Sequence, residues 1–191
     1  MQFQAFDPSI EVNGQTVLAV VKGMPLAPWL AEQILASEGV SNPQPGEWYS
    51  QQAWLNAFRI VSEKVGPLTL HKIGQSIPDN ADWPPGIDDI HAALASIDVA
   101  YHLNHRRGTT VLMDLETGTM EEGIGHYAYE GVDDTHGTMV CENPYPCDFD
   151  SGIIEATARR FQTPDAALTI VHGPKSCRKR GDESCTYHIS W

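Results

Sequence analysis

The chain has 191 residues, 41% of them hydrophobic and 19% charged, with a formal net charge of −13. That is enough apolar material for one packed domain. The acidity argues against nucleic acid and anionic membrane surfaces as partners, because both are polyanions. The first fifteen residues, MQFQAFDPSIEVNGQ, have no basic start and no long apolar run, so they do not read as a signal peptide. The longest apolar run, 17–21, is too short to span a bilayer. The expected compartment is the cytosol, where thiols stay reduced and paired cysteines point to metal or redox chemistry.

In chain order, residues 10–21 (IEVNGQTVLAVV) predict a hairpin around Asn13-Gly14, either a sheet edge or a dimer element. Residues 28–38 have apolar positions at helical spacing, with Gly39 as the C-terminal stop. After the turn-rich SNPQPG, residues 47–65 carry Trp54, Leu55, Phe58, Val61 and Val65 on one stripe, a second helix. A short helix is expected over 68–77. After the loop PDNADWPPG, Ile87, Ile90, Leu94, Ile97 and Tyr101 mark one face of a helix from 86 to about 105. The second half changes period. TTVLMDLE, HYAYEGV and GTMVCEN read as strands between Gly- and Asp-rich turns. Residues 150–161 form an amphipathic helix with Asp150 as its N-cap, and ALTIVHG and SCTYHISW are two closing strands. The whole is a single domain over 1–191: a hairpin or dimerisation element at 1–25, a mostly helical part at 26–107, and a sheet with one helix and a closing hairpin at 108–191. The fold class is α+β, an antiparallel sheet with the helical N-terminal half packed on it.

All four cysteines lie late in the chain. Cys141 and Cys147 are six apart in a proline-stiffened loop, and Cys177 and Cys185 are eight apart around RKRGD. The helix at 150–161 can bring the two pairs together, as a tetrahedral metal site requires. Lys175, Arg178, Lys179 and Arg180 surround two of the thiols, and nearby positive charge favours thiolates. Redox pairing of Cys141 with Cys147, or simple burial of small apolar side chains, are the alternatives.

The closing segment HGPKSCRKRGDESCTYHISW, with PYPCDFDSGIIEATARRF before it, resembles the 4-vinyl reductase domain family: a cysteine ahead of a helix, then a hairpin with two cysteines eight apart around a Gly-Asp turn. The likeness covers 144–191, the last quarter of the chain. It implies an α+β ligand-binding domain, related to the haem nitric-oxide domains and to vesicle-tethering subunits, that serves as a small-molecule sensor in bacterial regulators. It further implies zinc held by Cys147, Cys177 and Cys185. The family's fourth ligand, a Glu shortly before the first hairpin cysteine, has no counterpart here, so His172 or Cys141 would take its place. The resemblance also implies a homodimer. Since no ATPase or DNA-binding segment is read in the chain, a sensor would act through an unidentified protein partner.

His102 and His105 share a helix face and suit a helix C-terminus, where imidazoles bond the last carbonyls. Trp54, Phe58, His71, Tyr101 and His126 are the candidate pocket residues for an apolar or planar ligand between helices and sheet, with His71 also a candidate axial haem ligand. Asp114, Glu121, Glu122, His126, Asp148 and Asp150 are the acids and bases an enzyme would draw on. No nucleophile elbow, P-loop, HExxH or dinucleotide fingerprint accompanies them. The leading expectation is therefore a small-molecule sensor whose structural zinc clamps the closing hairpin. A metal-dependent enzyme and a haem-based gas sensor are the alternatives.

Overall fold

The computed structural model describes residues 2–163 and 166–191. Strand β1 (Ile10–Asn13) leads into two single-turn helices, α1 (Gly14–Val17) and α2 (Ala19–Lys22). Then come α3 (Pro28–Ser37), β2 (Trp48–Ser50), α4 (Gln51–Lys64), α5 (Pro67–Asp79) and α6 (Ile90–Leu103). Short strands β3 (His105–Arg107), β4 (Thr110–Val111), β5 (Met113–Asp114) and β6 (Thr119–Met120) follow. The last part holds β7 (His126–Asp133), β8 (His136–Glu142), α7 (Cys147–Phe161), β9 (Thr169–His172) and β10 (Cys185–Ser190). The α+β class expected from the sequence is the class observed.

The strands form a small sheet β2-β1-β3-β4, a larger sheet β7-β8-β10-β9 and the ribbon β5-β6, with antiparallel pairing throughout. The expected N-terminal hairpin is not formed. β1 pairs with β2 and β3 from later in the chain. Asn13 is an N-cap rather than a turn residue: its Oδ1 accepts the Gln15 N–H at 2.8 Å, which starts α1. The helices follow their apolar periods. Ser50 caps α4 and Asp89 caps α6 through Ala92 N–H at 2.8 Å. The α3 chain reverses at Gly39, whose φ of +85° is cheap for glycine alone.

α7 begins at Cys147, three residues before the expected start, and its N-cap is Pro146. α7 lies against α5 with backbones almost touching. A Cβ on Gly74 would collide with the Phe149 carbonyl, and one on Gly152 with the His71 carbonyl. This close pair, α4 and the larger sheet enclose an aromatic core. Trp54 packs on Phe58 with ring centroids 4.6 Å apart, Phe58 on Phe149 at 4.8 Å and Tyr145 on Phe149 at 5.4 Å. No helix among the described residues is long and apolar enough to cross a membrane.

Candidate functional site

A cavity of about 450 Å³ opens between the C-terminal end of α5, the 80–87 loop, α6 and α7, with Tyr127 of β7 at its floor. That volume suits a small organic molecule. Its deep wall is aromatic and aliphatic: Trp54, Tyr101, Tyr145, Phe149 and Ile153. Its mouth is polar, with Asn80, Asp82, Asn104 and Lys22. Two polar groups on the wall are unsatisfied. Trp54 and Thr157 are each 1% exposed, and neither Nε1 of the first nor Oγ1 of the second has a hydrogen-bond partner. Leaving such a group unpaired in the interior costs about 1–3 kcal/mol.

His105 is the histidine on this wall. Its Nδ1 lies 2.6 Å from the Tyr101 carbonyl, so it carries the proton, and its Nε2 then accepts from Tyr145 Oη at 2.6 Å. Burial holds its pKa down at about 4. Gln51 in turn donates to Tyr145 Oη at 3.0 Å. Of the candidate pocket residues, Trp54 and Tyr101 line the cavity. Phe58 lies in the core behind it, His71 bonds Glu155 of α7 at 2.9 Å, and His126 sits between Asp98 and Glu122. The cavity is thus bounded mainly by helices, not by a helix–sheet interface. His105, Tyr145, Phe149 and Thr157 were not singled out as pocket residues in the sequence. They reach one wall only through the β1–β3 pairing and the α5–α7 contact, which local periodicity does not encode.

The cysteines gather at the other end of α7. Cys147 Sγ lies 3.1 Å from Cys185 Sγ and 3.7 Å from Cys177 Sγ, and His172 completes the group with one donor atom per residue within 4.8 Å of the others. Cys141 is outside it. Its thiol is buried opposite Cys185 in the β8–β10 register, and burial drives its pKa up. All four are free cysteines.

A cation already serves this cluster. Arg178, fully buried, bonds Asp150, the side chain and carbonyl of Asn143, and Cys185 Sγ. The Cys147 thiol donates to Cys185, and the backbone N–H and guanidinium of Arg178 add to that pull. The Cys185 thiol is therefore held below its ordinary pKa, while the same bond pushes Cys147 up. Asp150, expected as a helix cap, is instead the buried partner of Arg178 and accepts Tyr127 Oη–H at 2.7 Å. Asp148 pairs with Lys179 at 2.7 Å at the rim. Asp114 accepts from the backbone of Glu116 and Thr117 in an exposed turn, and Thr117 bonding lowers its pKa.

No family profile matches the sequence, and no curated protein does. The fold does match solved structures. An oxygen-binding H-NOX domain related to soluble guanylate cyclases, in its oxygen complex, superposes with a TM-score of 0.61 at 19% identity, over 93% of this chain and 94% of that one. An H-NOX protein from S. oneidensis in the Fe(II)NO ligation state gives 0.61 at 14% identity, over 92% and 97%. A domain from work on haem distortion in the H-NOX family gives 0.61 at 18%, over 94% of each chain. The chain therefore has the haem-NO-binding fold. The narrower likeness to 4-vinyl reductase domains finds no match. The expectation of zinc as cofactor is overturned: structures that this chain resembles are described with haem or with an Fe(II)NO ligation state. The local reason is that the positive charge expected from zinc comes from Arg178.

Proposed function

We propose that this domain is a small-molecule sensor whose ligand occupies the cavity under α6 and is a planar, uncharged aromatic with a hydrogen-bond acceptor. The observation that carries this reading is the aromatic and aliphatic cavity wall, two of whose residues, Trp54 and Thr157, also hold buried polar atoms without a partner. An indole N–H can only donate, so a ligand that reaches Trp54 Nε1 must accept. The aromatic wall favours a flat molecule. Sensing implies that a protein surface reads the filled state, either in a second copy of this chain or in an output partner.

Haem is the cofactor described for the neighbours, and those neighbours favour the haem-sensor alternative over the zinc-clamped reading. The cavity residues do not fit an axially held haem as they stand. His105 has both ring nitrogens engaged, and the lining has one cation, Lys22, which already bonds Asn80 at 2.8 Å. Two propionates would find little charge complement there. One feature favours haem as a second reading. With Nδ1 bonded to a carbonyl, His105 has the orientation that metal-binding imidazoles adopt, provided Tyr145 yields Nε2.

Thermal shifts with quinoline and naphthalene, run beside a haemin titration, separate the two. Quinoline carries the acceptor and naphthalene lacks it. The first reading expects quinoline to raise Tm more than naphthalene does, and expects Thr157→Val and Trp54→Phe to shrink that difference. A stoichiometric Soret band that disappears in His105→Ala, with no quinoline effect, would replace it with the haem reading.

A further inference from the structure

A second cluster lies outside the cavity lining and is independent of what fills the cavity. Asp98 and His102 stand one turn apart on α6, facing His126, the first residue of β7. One donor atom from each of the three lies within 4.8 Å of the others. The two imidazoles are 5.0 Å apart between ring centroids and inclined by 32°. His126 bridges two carboxylates, with Nδ1 at 2.9 Å from Asp98 Oδ2 and Nε2 at 3.0 Å from Glu122 Oε2. Asp98 Oδ1 is fixed by the Tyr127 N–H at 2.9 Å.

His102 sets this apart from an ordinary ion-pair pin between a helix and a strand. Its side chain is fully buried. Its Nδ1 bonds the Asp98 carbonyl at 2.8 Å, which orients the ring, and its Nε2 is buried with no partner. A carbonyl-oriented imidazole beside a second imidazole and a carboxylate is a metal-binding arrangement. With metal–ligand bonds of about 2.1 Å, donors of a tetrahedral shell are about 3.4 Å apart, so the cluster closes on an ion by a side-chain contraction of up to about 1.4 Å. His126 is one-third exposed and Glu122 mostly exposed, which leaves a route in for an ion.

We propose that Asp98, His102 and His126 bind a first-row transition-metal dication, with Glu122 orienting His126 through its far ring nitrogen. Two imidazoles and carboxylate suit ions of the Fe²⁺, Co²⁺, Ni²⁺ and Cu²⁺ class and lack the thiolates that select softer ones. The bound ion takes the place of the hydrogen bond between His126 Nδ1 and Asp98, while Nε2 keeps its bond to Glu122. It ties α6, whose other face lines the cavity, to the edge strand β7.

Co²⁺ titration of the full-length chain under reducing conditions tests this. The wild type is expected to show weak visible d–d bands from one equivalent without a near-ultraviolet sulfur-to-cobalt band. His126→Ala and His126→Gln should each weaken that equivalent at least tenfold. Gln keeps a hydrogen-bonding side chain and separates ligation from folding, which circular dichroism monitors. An intense sulfur-to-cobalt band from the first equivalent would place the ion at Cys147, Cys177 and Cys185 and overturn the proposal. The proposal is overturned if no Co²⁺ binds, or if stoichiometry and visible bands are the same in wild type and both His126 variants.

Discussion

His105 is a histidine held neutral by position. It is 2% exposed, both nitrogens are satisfied without a proton from solvent, and burial keeps its pKa near 4 against about 6.5 in the unfolded chain. Below pH 6.5 the unfolded chain therefore takes up a proton that the native state refuses. Stability falls as pH drops from 6.5 to 4, and His105 accounts for a loss of about 3 kcal/mol over that range. Urea midpoints at pH 7 and pH 4.5 should differ more in the wild type than in His105→Gln, whatever the variant's absolute stability. Equal pH slopes would remove His105 as the cause. The sequence showed part of this chemistry. His102 and His105 read as residues bonding the last carbonyls of a helix, and each does bond the carbonyl four residues back. What no local pattern could show is Tyr145 Oη meeting His105 from 40 residues further along.

At the scale of elements, the α5–α7 contact is set by two glycines, each admitting the other helix's backbone. An added methyl at either position has a carbonyl oxygen in its path, and backbone cannot turn aside as a side chain can. Gly74→Ala and Gly152→Ala should each destabilise by about 1–3 kcal/mol, despite the gain of up to about 1 kcal/mol that alanine brings to a helix. Equilibrium unfolding measures this, and an increase in stability from either change would mean the helices can separate freely. Helices were legible here because a buried stripe repeats at 3.6 residues: Trp54, Leu55, Phe58 and Val61 are buried as their spacing suggests, whereas Val65, expected on the same stripe, caps the helix and is exposed. Asn13-Gly14 misled because Asn serves equally as a turn residue and as a helix cap, and only the long-range partners of β1 decide between them. Asp150 misled for the same kind of reason: its partner Arg178 lies 28 residues away.

Across the whole molecule, one buried guanidinium joins the paired strands β8 and β10 to α7, which shares no backbone pairing with either. Arg178 meets Asn143 after β8, Asp150 in α7 and Cys185 at the start of β10. Removing one member of a buried pair leaves the other charged and dry, at a cost of about 3–5 kcal/mol. Arg178→Met should lower stability by that amount, and Arg178→Met with Asp150→Leu should recover part of it. A single variant within about 1 kcal/mol of wild type would show the network is not holding these parts together. The positions of the cysteines around one helix suggest that all four thiols meet, yet only Cys147, Cys177 and Cys185 do, with His172, while Cys141 stays in the sheet. The cation beside them was visible in the sequence as RKR, but only as nearby surface charge.

The order of the larger sheet has a consequence for synthesis. β10 is made after every other described strand, yet it lies between β8 and β9 and pairs with both. Until residues 185–190 leave the ribosome, β8 has one open edge and β9 has no neighbour. Asp150 likewise waits for a guanidinium 28 residues downstream. The growing chain can close its helical half early, but the nascent sheet stays a half-finished template, open to chaperones or to another strand, until its final strand slots into the middle.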